Sequence, residues 1–434
     1  MNIVIAGYGV EGRSNLAYFR RRFPEATLRI ADQRPVADAP DGVTVLTGER
    51  VFAQLDDADL VVRTAGLPPR EIRTKGKIWS ATNEFFARCP APIIGVTGTK
   101  GKGTTCSLIA SILRAAGRTV HLVGNIGVPA LDVLDQIRPE DVVVYELSSF
   151  QLWDLEASPH IAVVLMIEPD HLDVHTDFGE YVAAKQHIVQ HQGPEDAVVY
   201  HPTNQYAAQI AQSSASRQQR YGVADDGAAY VQANTFFVQG RAICGVDTLR
   251  IAGQHNIENA CAAISAVYAL DESVSNEAVA QGLGAFTGLS HRLKFVAEKQ
   301  GVAFYDDSIS TTPGSAIAAL RAFDQPKVLI LGGHDKGADY SELAQELVAS
   351  DSLRGVVLVG SNAARLAALL RRAGLPEAAM VQKGPISMTG AVHAAVDLAQ
   401  PGDVVILSPA AASFDQYNNY TDRGEQFVAA VAAL

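Results

Sequence analysis

Short hydrophobic runs alternate with stretches of helical periodicity along nearly the whole chain. Many of the runs are unbroken series of Val, Ile and Leu, which is typical of strands that are buried on both faces of a parallel sheet. The pattern therefore predicts an α/β fold. The clearest runs occupy residues 3–6, 28–31, 60–63, 93–97, 142–146, 162–167, 328–331, 356–359 and 404–407.

Two breaks divide the 434 residues into three blocks. The segment Cys89-Pro90-Ala91-Pro92 is typical of a stiff linker, and the second break lies at Thr287-Gly288-Leu289. We therefore predict domains at 1–89, 90–288 and 289–434. Residues 221–247 are short, strand-like and punctuated by glycine, which predicts an antiparallel insertion in the middle block.

The composition excludes some functions. A net charge of −12 argues against general nucleic-acid binding, which needs a basic face, but it allows phosphate ligands held by backbone amides. No hydrophobic run reaches membrane-spanning length, and the N-terminus resembles a strand rather than a signal peptide. The four cysteines form no CxxC pair, so we expect reduced thiols. We predict a cytoplasmic protein with no nucleic-acid or membrane partner.

The sharpest chemical feature lies where the run 93–97 ends. Small residues at this point would let backbone amides and a helix N-terminus surround a phosphate, and Lys102 adds a mobile positive charge. Thr104 or Thr105 could reach a Mg²⁺ ion on the phosphates. The match to GxxxxGK[ST] is imperfect, because Val96 and Gly103 depart from it, so a glycine-rich turn without a ligand is the alternative. The segment reads Gly98, Thr99, Lys100, Gly101, Lys102, Gly103, Thr104, Thr105, followed by a predicted helix at 106–117.

Acidic groups and a histidine follow the next two predicted strands. Glu146 ends the run 142–146, and a carboxylate at the carboxyl edge of a parallel strand faces the ligand crevice. Glu146 is therefore a candidate Mg²⁺ ligand. Five ionisable residues lie within 168–175, among them His171, a candidate for metal or phosphate binding. An exposed strand end and a polar surface turn are the structural alternatives.

The first block opens with a glycine turn of another type. Gly7, Gly9 and Gly12 form a G-x-G-x-x-G pattern, and Asp32 follows a second strand. This pattern alone would suggest a dinucleotide such as NAD. A turn with a purely structural role is the alternative.

A series of motifs along the chain, in their types and in their order, resembles that of the Mur ligase family, which includes the muramyl amino-acid ligases and folylpolyglutamate synthase. The likeness covers essentially the whole chain. It implies a Rossmann-like N-terminal domain, a central ATP-binding domain of the P-loop type and a Rossmann-like C-terminal domain. The motifs are GTKGKGTT (98–105), GNIG (124–127), ELSSFQL (146–152), DHLDVH (170–175), YVAAK (181–185), GQHNIENA (253–260), SHRL (290–293), DDSISTTP (306–313), LGGHDKGADY (331–340) and SPAAASFDQYNNYTDRGEQF (408–427).

Within the family, the chain is most similar to the members that add glutamate to UDP-N-acetylmuramoyl-L-alanine. The first domain, the segment 307–311 and the segment 412–417 carry that likeness. It implies that ATP phosphorylates a carboxylate and that the glutamate amine then attacks the acyl phosphate. The implied ligands are ATP, two Mg²⁺ ions, the UDP-linked substrate and glutamate, bound by a monomer.

The resemblance also implies residue roles. The residues that match the family's catalytic and metal-binding positions are Lys102, Thr104, Glu146, His171 and Lys185. In the family, the lysine at the position of Lys185 is carbamylated. ATP contacts fall to residues 98–105 and to Asn256, Asn259, Arg292 and Asp307. The residues that match the family's contacts with the UDP-linked substrate are Val10, Glu11, Asp32, Gln33, Arg34, Gly66, Asn125, Ser148 and His171. The residues that match the family's glutamate pocket are Thr311, Lys336, Ser413, Phe414 and Tyr420.

Three positions depart from the family pattern. Ile309 stands where some relatives carry Lys, Gly103 replaces a hydroxyl residue and Lys100 replaces a common Asn. These departures leave D- and L-glutamate both open. The alternatives are another ligase of the family, a binding protein without turnover and an NAD-dependent oxidoreductase, the last of which explains nothing after residue 90.

Overall fold

The computed structural model of the chain describes residues 1–125, 129–224, 226–251, 253–335 and 337–434. They form two compact units, one of Met1–Arg250 with Gln254–Phe286 and one of Ile251–Gly253 with Thr287–Leu434. The large sheets of both units are parallel, apart from one edge strand, and are joined by helices, which confirms the predicted α/β fold. The boundaries of three domains stay a prediction.

The first sheet of unit 1 has five parallel strands in the order β3-β2-β1-β4-β5. The chain leaves β1 towards β2 on one side and later returns to β4 on the other. This reversal creates a crevice at the carboxyl ends of β1 and β4. The elements are β1 (Asn2–Ala6), α1 (Val10–Arg22), β2 (Thr27–Asp32), β3 (Thr44–Thr47), β4 (Leu60–Arg63), β5 (Lys77–Ser80) and α2 (Ala81–Arg88).

The second sheet of unit 1 has six parallel strands in the order β11-β10-β9-β6-β8-β7. Because β6 lies between β8 and β9, the segments that follow these three strands meet at one edge. The strands are β6 (Ile93–Thr97), β7 (Val120–Gly124), β8 (Val142–Glu146), β9 (Ile161–Val164), β10 (Ala197–Tyr200) and β11 (Arg217–Arg220). The helices are α3 (Lys102–Ala115), α4 (Ala130–Val133), α5 (Ser149–Leu152), α6 (Phe178–Gln186), α7 (Gln205–Gln212), α8 (Gln254–Leu270) and α9 (Asn276–Ala285).

A small antiparallel sheet follows β11 along the chain, as the spacing of 221–247 predicts. Its strands are β12 (Ala229–Gln232), β13 (Thr235–Val238) and β14 (Arg241–Gly245). The predicted insertion is therefore confirmed.

The two large sheets of unit 1 share one hydrophobic core. Phe85 of α2 packs edge-on against Tyr145 of β8, with ring centroids 5.3 Å apart, and both are fully buried. Ile3 of the first sheet and Val143 of the second belong to the same buried cluster. Burying one such side chain stabilises the fold by about 1.5–3 kcal/mol, so the shared core joins the two sheets in one unit.

Unit 2 contains a six-stranded sheet in the order β15-β16-β20-β17-β18-β19, in which β15 alone is antiparallel to its neighbour. Helices α10 to α12 contribute to the hydrophobic cluster on one face, and α13 and α14 to the cluster on the other. The elements are β15 (Lys294–Lys299), β16 (Val302–Asp306), α10 (Pro313–Arg321), β17 (Lys327–Gly332), α11 (Ser341–Ala349), β18 (Leu353–Val359), α12 (Ala363–Ala373), β19 (Met380–Gly384), α13 (Met388–Leu398), β20 (Val404–Leu407) and α14 (Tyr420–Ala432).

Across the described ranges of the chain, none of the helices combines the length and the hydrophobicity that crossing a bilayer requires. All four cysteines are free, as expected.

Candidate functional site

The predicted phosphate loop lies between the fully buried strand β6 and the start of α3. Two of its glycines have left-handed backbone, with φ of 147° at Gly98 and 84° at Gly101. A Cβ on Gly98 would lie 2.7 Å from Leu165 Cβ, and one on Gly101 would lie 2.4 Å from Asn259 Oδ1. The loop therefore needs glycine at both positions, for backbone conformation and for space.

Thr99 fixes this loop to the segment that follows β9. Its backbone N–H donates to the carbonyl of Met166 at 2.8 Å, and its hydroxyl accepts from the N–H of Glu168 at 2.9 Å. The same hydroxyl lies 3.0 Å from the hydroxyl of Tyr181 on α6. At the surface, Lys100 forms an ion pair with Glu168 at 3.3 Å.

Three charged side chains surround the loop. Lys102 donates to the carbonyls of Gly98 and Thr99 at 3.1 and 3.0 Å. Glu146, at the end of β8, is buried. Lys185 is also buried and donates to Gly98 O at 3.0 Å and Thr97 Oγ1 at 3.3 Å. Burial, assisted by the positive charge of Lys102, lowers the pKa of Lys185 well below its usual range.

The oxygen donors beside the loop fit a magnesium ion that also binds phosphate. Thr104 is buried in the first turn of α3, and Glu146 is reached by the side-chain amide of Asn125 at 3.4 Å. Among the described residues, no group of three His, Cys, Asp or Glu side chains could hold a metal alone. Mg²⁺ commonly takes one or two protein oxygens and completes its shell with phosphates and water, so one carboxylate and one hydroxyl suffice.

His171 lies on the turn after β9 and is about half exposed, with a left-handed φ of 54°. Its ring centroid is 4.9 Å from that of Phe150 on α5, and its Nε2 is 3.6 Å from an Asp170 oxygen. Ser148 caps α5, because its hydroxyl accepts from the N–H of Gln151 at 3.2 Å. Both residues thus lie on segments that follow the strands flanking β6.

Two of the candidate ATP residues, Asn256 and Asn259, lie three positions apart on α8 and therefore share one face of this helix. The Asn259 amide donates to Asn256 Oδ1 at 3.1 Å, and Asn259 Oδ1 accepts from the Thr105 hydroxyl at 3.3 Å. Asn259 therefore joins the start of α8 to the phosphate loop. The ATP contact predicted for both residues stays a prediction.

The crevice of the first sheet is organised by two carboxylates. Asp32 accepts from the N–H of Tyr8 at 2.7 Å and of Arg34 at 2.9 Å, which ties the glycine turn to the end of β2. Glu11 accepts from Ala65 N–H at 2.8 Å, and burial raises its pKa. The other predicted residues around this turn, Val10, Gln33, Arg34 and Gly66, are exposed.

Apart from Arg292, which precedes β15, the candidate residues of unit 2 follow β16, β17 and β20, which are neighbours in the sheet. Asp307 is buried and accepts from Leu293 N–H at 3.1 Å, from Ser408 Oγ at 2.8 Å and from Ser310 Oγ. Burial raises the pKa of Asp307 to about 6, although these donors and Arg292 act in the opposite direction. Ser413 is buried, whereas Arg292, Thr311, Phe414 and Tyr420 are exposed.

Two predicted positions fall outside the described residues. They are Lys336 and the Ile126-Gly127 half of the GNIG motif.

Sequence reasoning missed two buried side chains of unit 1. Arg63, at the end of β4, is fully buried and pairs with Asp154 beyond α5. His175 is buried, with Nε2 3.0 Å from Ser149 Oγ and its ring stacked on Phe150 at 5.4 Å. His175 stands in a conspicuous ionisable segment, but a single Arg at a strand end gives no sequence signal.

Comparisons with known proteins identify the relatives of this chain. The sequence profile described as the Mur ligase middle domain matches residues 96–267, and that of the Mur ligase glutamate ligase domain matches residues 291–411. A protein of Symbiobacterium thermophilum named UDP-N-acetylmuramoylalanine–D-glutamate ligase is 39% identical over 91% of this chain and 88% of its own. One of the same name from Clostridium novyi is 34% identical over 98% and 93%.

A similar fold is found among solved structures. The UDP-N-acetylmuramate–alanine ligase of Thermotoga maritima aligns with a TM-score of 0.62 at 17% identity. The alignment covers 100% of this chain and 99% of that one.

Proposed function

Because the chain belongs to the Mur ligase family, we propose that it is an ATP-dependent ligase that joins D-glutamate to UDP-N-acetylmuramoyl-L-alanine in peptidoglycan precursor synthesis. The observation that carries the proposal is the similarity to D-glutamate ligases along nearly the whole chain, at 34–39% identity in the two relatives above. The phosphate loop, with Lys102, Glu146 and Lys185 around it, supports the use of ATP.

The reaction needs activation of a carboxylate, because a carboxylate is a poor electrophile. ATP transfers its terminal phosphoryl group to the alanine carboxylate, and the resulting acyl phosphate is attacked by the glutamate amine. A tetrahedral intermediate then expels phosphate. Most of the protein's work in such a sequence is positioning and charge neutralisation.

The loop and its neighbours are suited to that work. We assign residues 98–105, with Asn256, Asn259, Arg292 and Asp307, to ATP. Lys102 would leave the carbonyls of Gly98 and Thr99 and donate to the transferred phosphoryl group, which is the stronger, charge-assisted bond. The amides at the start of α3 would face the same anion.

We assign residues to two magnesium positions. Thr104 and Glu146 would hold one ion, and His171 with a carbamylated Lys185 would hold the second. Mg²⁺ supplies charge neutralisation on the phosphate oxygens when bound. Carbamylation would turn the Lys185 amine into an oxygen donor, which a neutral buried amine permits.

The remaining assignments concern the organic substrates. We assign Val10, Glu11, Asp32, Gln33, Arg34 and Gly66 to the UDP part, and Asn125, Ser148 and His171 to the muramoyl-alanine part. Thr311, Lys336, Ser413, Phe414 and Tyr420 would form the glutamate pocket. Since ATP and UDP-linked precursors are cytoplasmic, we place the enzyme there, acting as a monomer in support of cell shape and division.

The direct test is phosphate release by the purified protein with ATP, Mg²⁺ and UDP-N-acetylmuramoyl-L-alanine. D-glutamate and L-glutamate are added in parallel, and we expect release with D-glutamate only. Release with L-glutamate only would keep the mechanism and change the substrate. Release with a different amino acid would indicate another ligase of the family, and no release under any condition would contradict catalysis.

A further inference from the structure

Arg63 is completely buried, and its guanidinium is surrounded by acceptors. Nε donates to one Asp154 oxygen at 2.8 Å, and Nη2 pairs with the other. Nη2 also donates to the carbonyl of Phe150 at 3.0 Å. Nη1 is directed at the carbonyls of Thr64, Ala65 and Leu67, at 3.3 to 3.4 Å. Among side chains, only the planar, forked guanidinium of arginine carries enough N–H donors to reach this many acceptors at once.

These acceptors belong to two segments that come from different sheets. One is the 64–67 turn after β4, which covers the glycine turn and donates to Glu11 from Ala65 N–H at 2.8 Å. The other is the 150–154 segment, which follows Glu146 and Ser148 after β8. Arg63 therefore joins the crevice of the first sheet to the edge of the second sheet where the phosphate loop lies.

The segment that carries Asp154 is also held in place by hydrogen bonds from α2. The side-chain amide of Asn83 on α2 donates to the Asp154 carbonyl at 2.9 Å, and its oxygen accepts from Glu156 N–H at 2.8 Å. Asp154 thus has a fixed backbone, and the ion pair with Arg63 fixes its side chain. A rigid pair of this kind sets a distance between the two segments.

We propose that Arg63 is a positioning residue that sets the spacing between the UDP half and the muramoyl-alanine half of the substrate site. The inference rests on the proposed function, which assigns Glu11 and Gly66 to the UDP part and Ser148 to the muramoyl-alanine part. One substrate molecule bridges both segments, so both ends bind well only if their spacing is preset. A ligand that occupies one half does not depend on that spacing.

The test compares a ligand that occupies only the UDP half of the substrate site with the substrate that occupies both halves. Isothermal titration calorimetry would measure the affinity for UDP alone and for UDP-N-acetylmuramoyl-L-alanine, without ATP. The variants are Arg63→Lys, which keeps the charge but loses the fork, and Asp154→Asn, which keeps the shape but loses the ion pair. Arg29→Lys is the matched control, because Arg29 forms a two-bond pair with Asp57, at 2.8 and 3.0 Å, within the first sheet and its loops.

We expect both Arg63→Lys and Asp154→Asn to weaken binding of the whole substrate by about tenfold or more while UDP binding stays at the wild-type value. Arg29→Lys should change neither. Equal weakening of both ligands would overturn the inference, since Arg63 would then support only the UDP turn. Unchanged binding of both ligands in well-folded variants would overturn it too.

Thermal denaturation identifies a variant that has not folded. If Arg63→Lys does not fold, Asp154→Asn alone decides between these outcomes. Wild-type protein that bound UDP but not the whole substrate would instead overturn the proposed function, and the positioning role with it.

Discussion

Lys185 has surroundings that favour a neutral amine. Its Nζ is buried against two neutral oxygens, Thr97 Oγ1 and Gly98 O, and Lys102 lies close enough to repel its charge. A neutral amine attacks CO₂, forming an N–C bond and releasing one proton. The lowered pKa of Lys185 therefore favours the proposed carbamylation.

We predict that Lys185 carries a carbamate in bicarbonate buffer and loses it as the pH falls. Acid reverses the reaction, because the carbamate takes up a proton and releases CO₂, and the amine that remains is then protonated. Carbon-13 NMR with labelled bicarbonate should show a carbamate signal that is missing from Lys185→Ala. That variant should lose about 10²-fold or more in ligase activity, as expected for a lost metal ligand, and regain part of it with a short carboxylic acid. A signal that persists in Lys185→Ala would assign the carbamate elsewhere.

Asp307 gives a pH dependence of stability. Its pKa is raised to about 6 in the fold, above its unfolded value, so the fold is stabilised below the unfolded pKa and that stabilisation is lost as the pH rises through 6. Between pH 4.5 and 7 the loss should be about 2 kcal/mol. Chemical denaturation of Asp307→Asn should lack this loss. Parallel pH profiles of the two proteins would contradict the prediction.

At the scale of elements, the turn between β6 and α3 decides the chemistry of the site. The predicted helix at 106–117 in fact begins at Lys102 and ends at Ala115, because Gly101 in left-handed conformation starts the helix one turn earlier. That shift brings Lys102 to Thr105 into the first turn, where free amides and the helix dipole favour an anion.

Two glycines flank α3 and make a matched pair of substitutions. Gly101 and Gly117 both have left-handed φ, at 84° and 79°, but only Gly101 faces a close neighbour. We expect Gly117→Ala to lower stability by about 1 kcal/mol through strain alone and to keep ligase activity. Gly101→Ala should also displace Asn259 and weaken ATP binding by about tenfold or more. Calorimetric titration with ATP and denaturant unfolding separate the two effects, and equal ATP affinity in both variants would contradict this account.

At the scale of the whole molecule, each unit has hydrophobic clusters of its own. Independent cores commonly unfold as separate cooperative transitions. A ligand that binds one folded unit stabilises that unit alone, by about 2.7 kcal/mol at one hundred times its Kd.

We therefore predict two transitions in differential scanning calorimetry. UDP-N-acetylmuramoyl-L-alanine should raise the Tm of only one of them, which we assign to unit 1. At neutral pH, Asp307→Asn should shift only the other. A single transition that responds to both changes would show that the units unfold together.

The α/β class and nine of the twenty strands in the described part of the chain were predicted from the sequence alone, as was the chemistry proposed for the site. Continuous buried runs such as 93–97 and 142–146 have the observed bounds, because strands buried on both faces must be hydrophobic at every position. Glycine, lysine and hydroxyl residues in one short segment predicted a phosphate loop, and Gly98 and Gly101 in it have backbone that few other residues adopt.

Which of these elements are neighbours became clear from the folded chain alone. The polar edge strand β11, Arg217–Arg220, escaped the hydrophobic pattern, since it buries a single residue, Gln219. The buried Arg63–Asp154 pair spans 91 positions of the chain and could not be read from either segment. The same holds for the low pKa of Lys185, because burial and the approach of Lys102 arise from packing between elements that are remote in sequence. Local patterns reflect the local backbone and burial, whereas spacing and electrostatics come from contacts that form only in the folded chain.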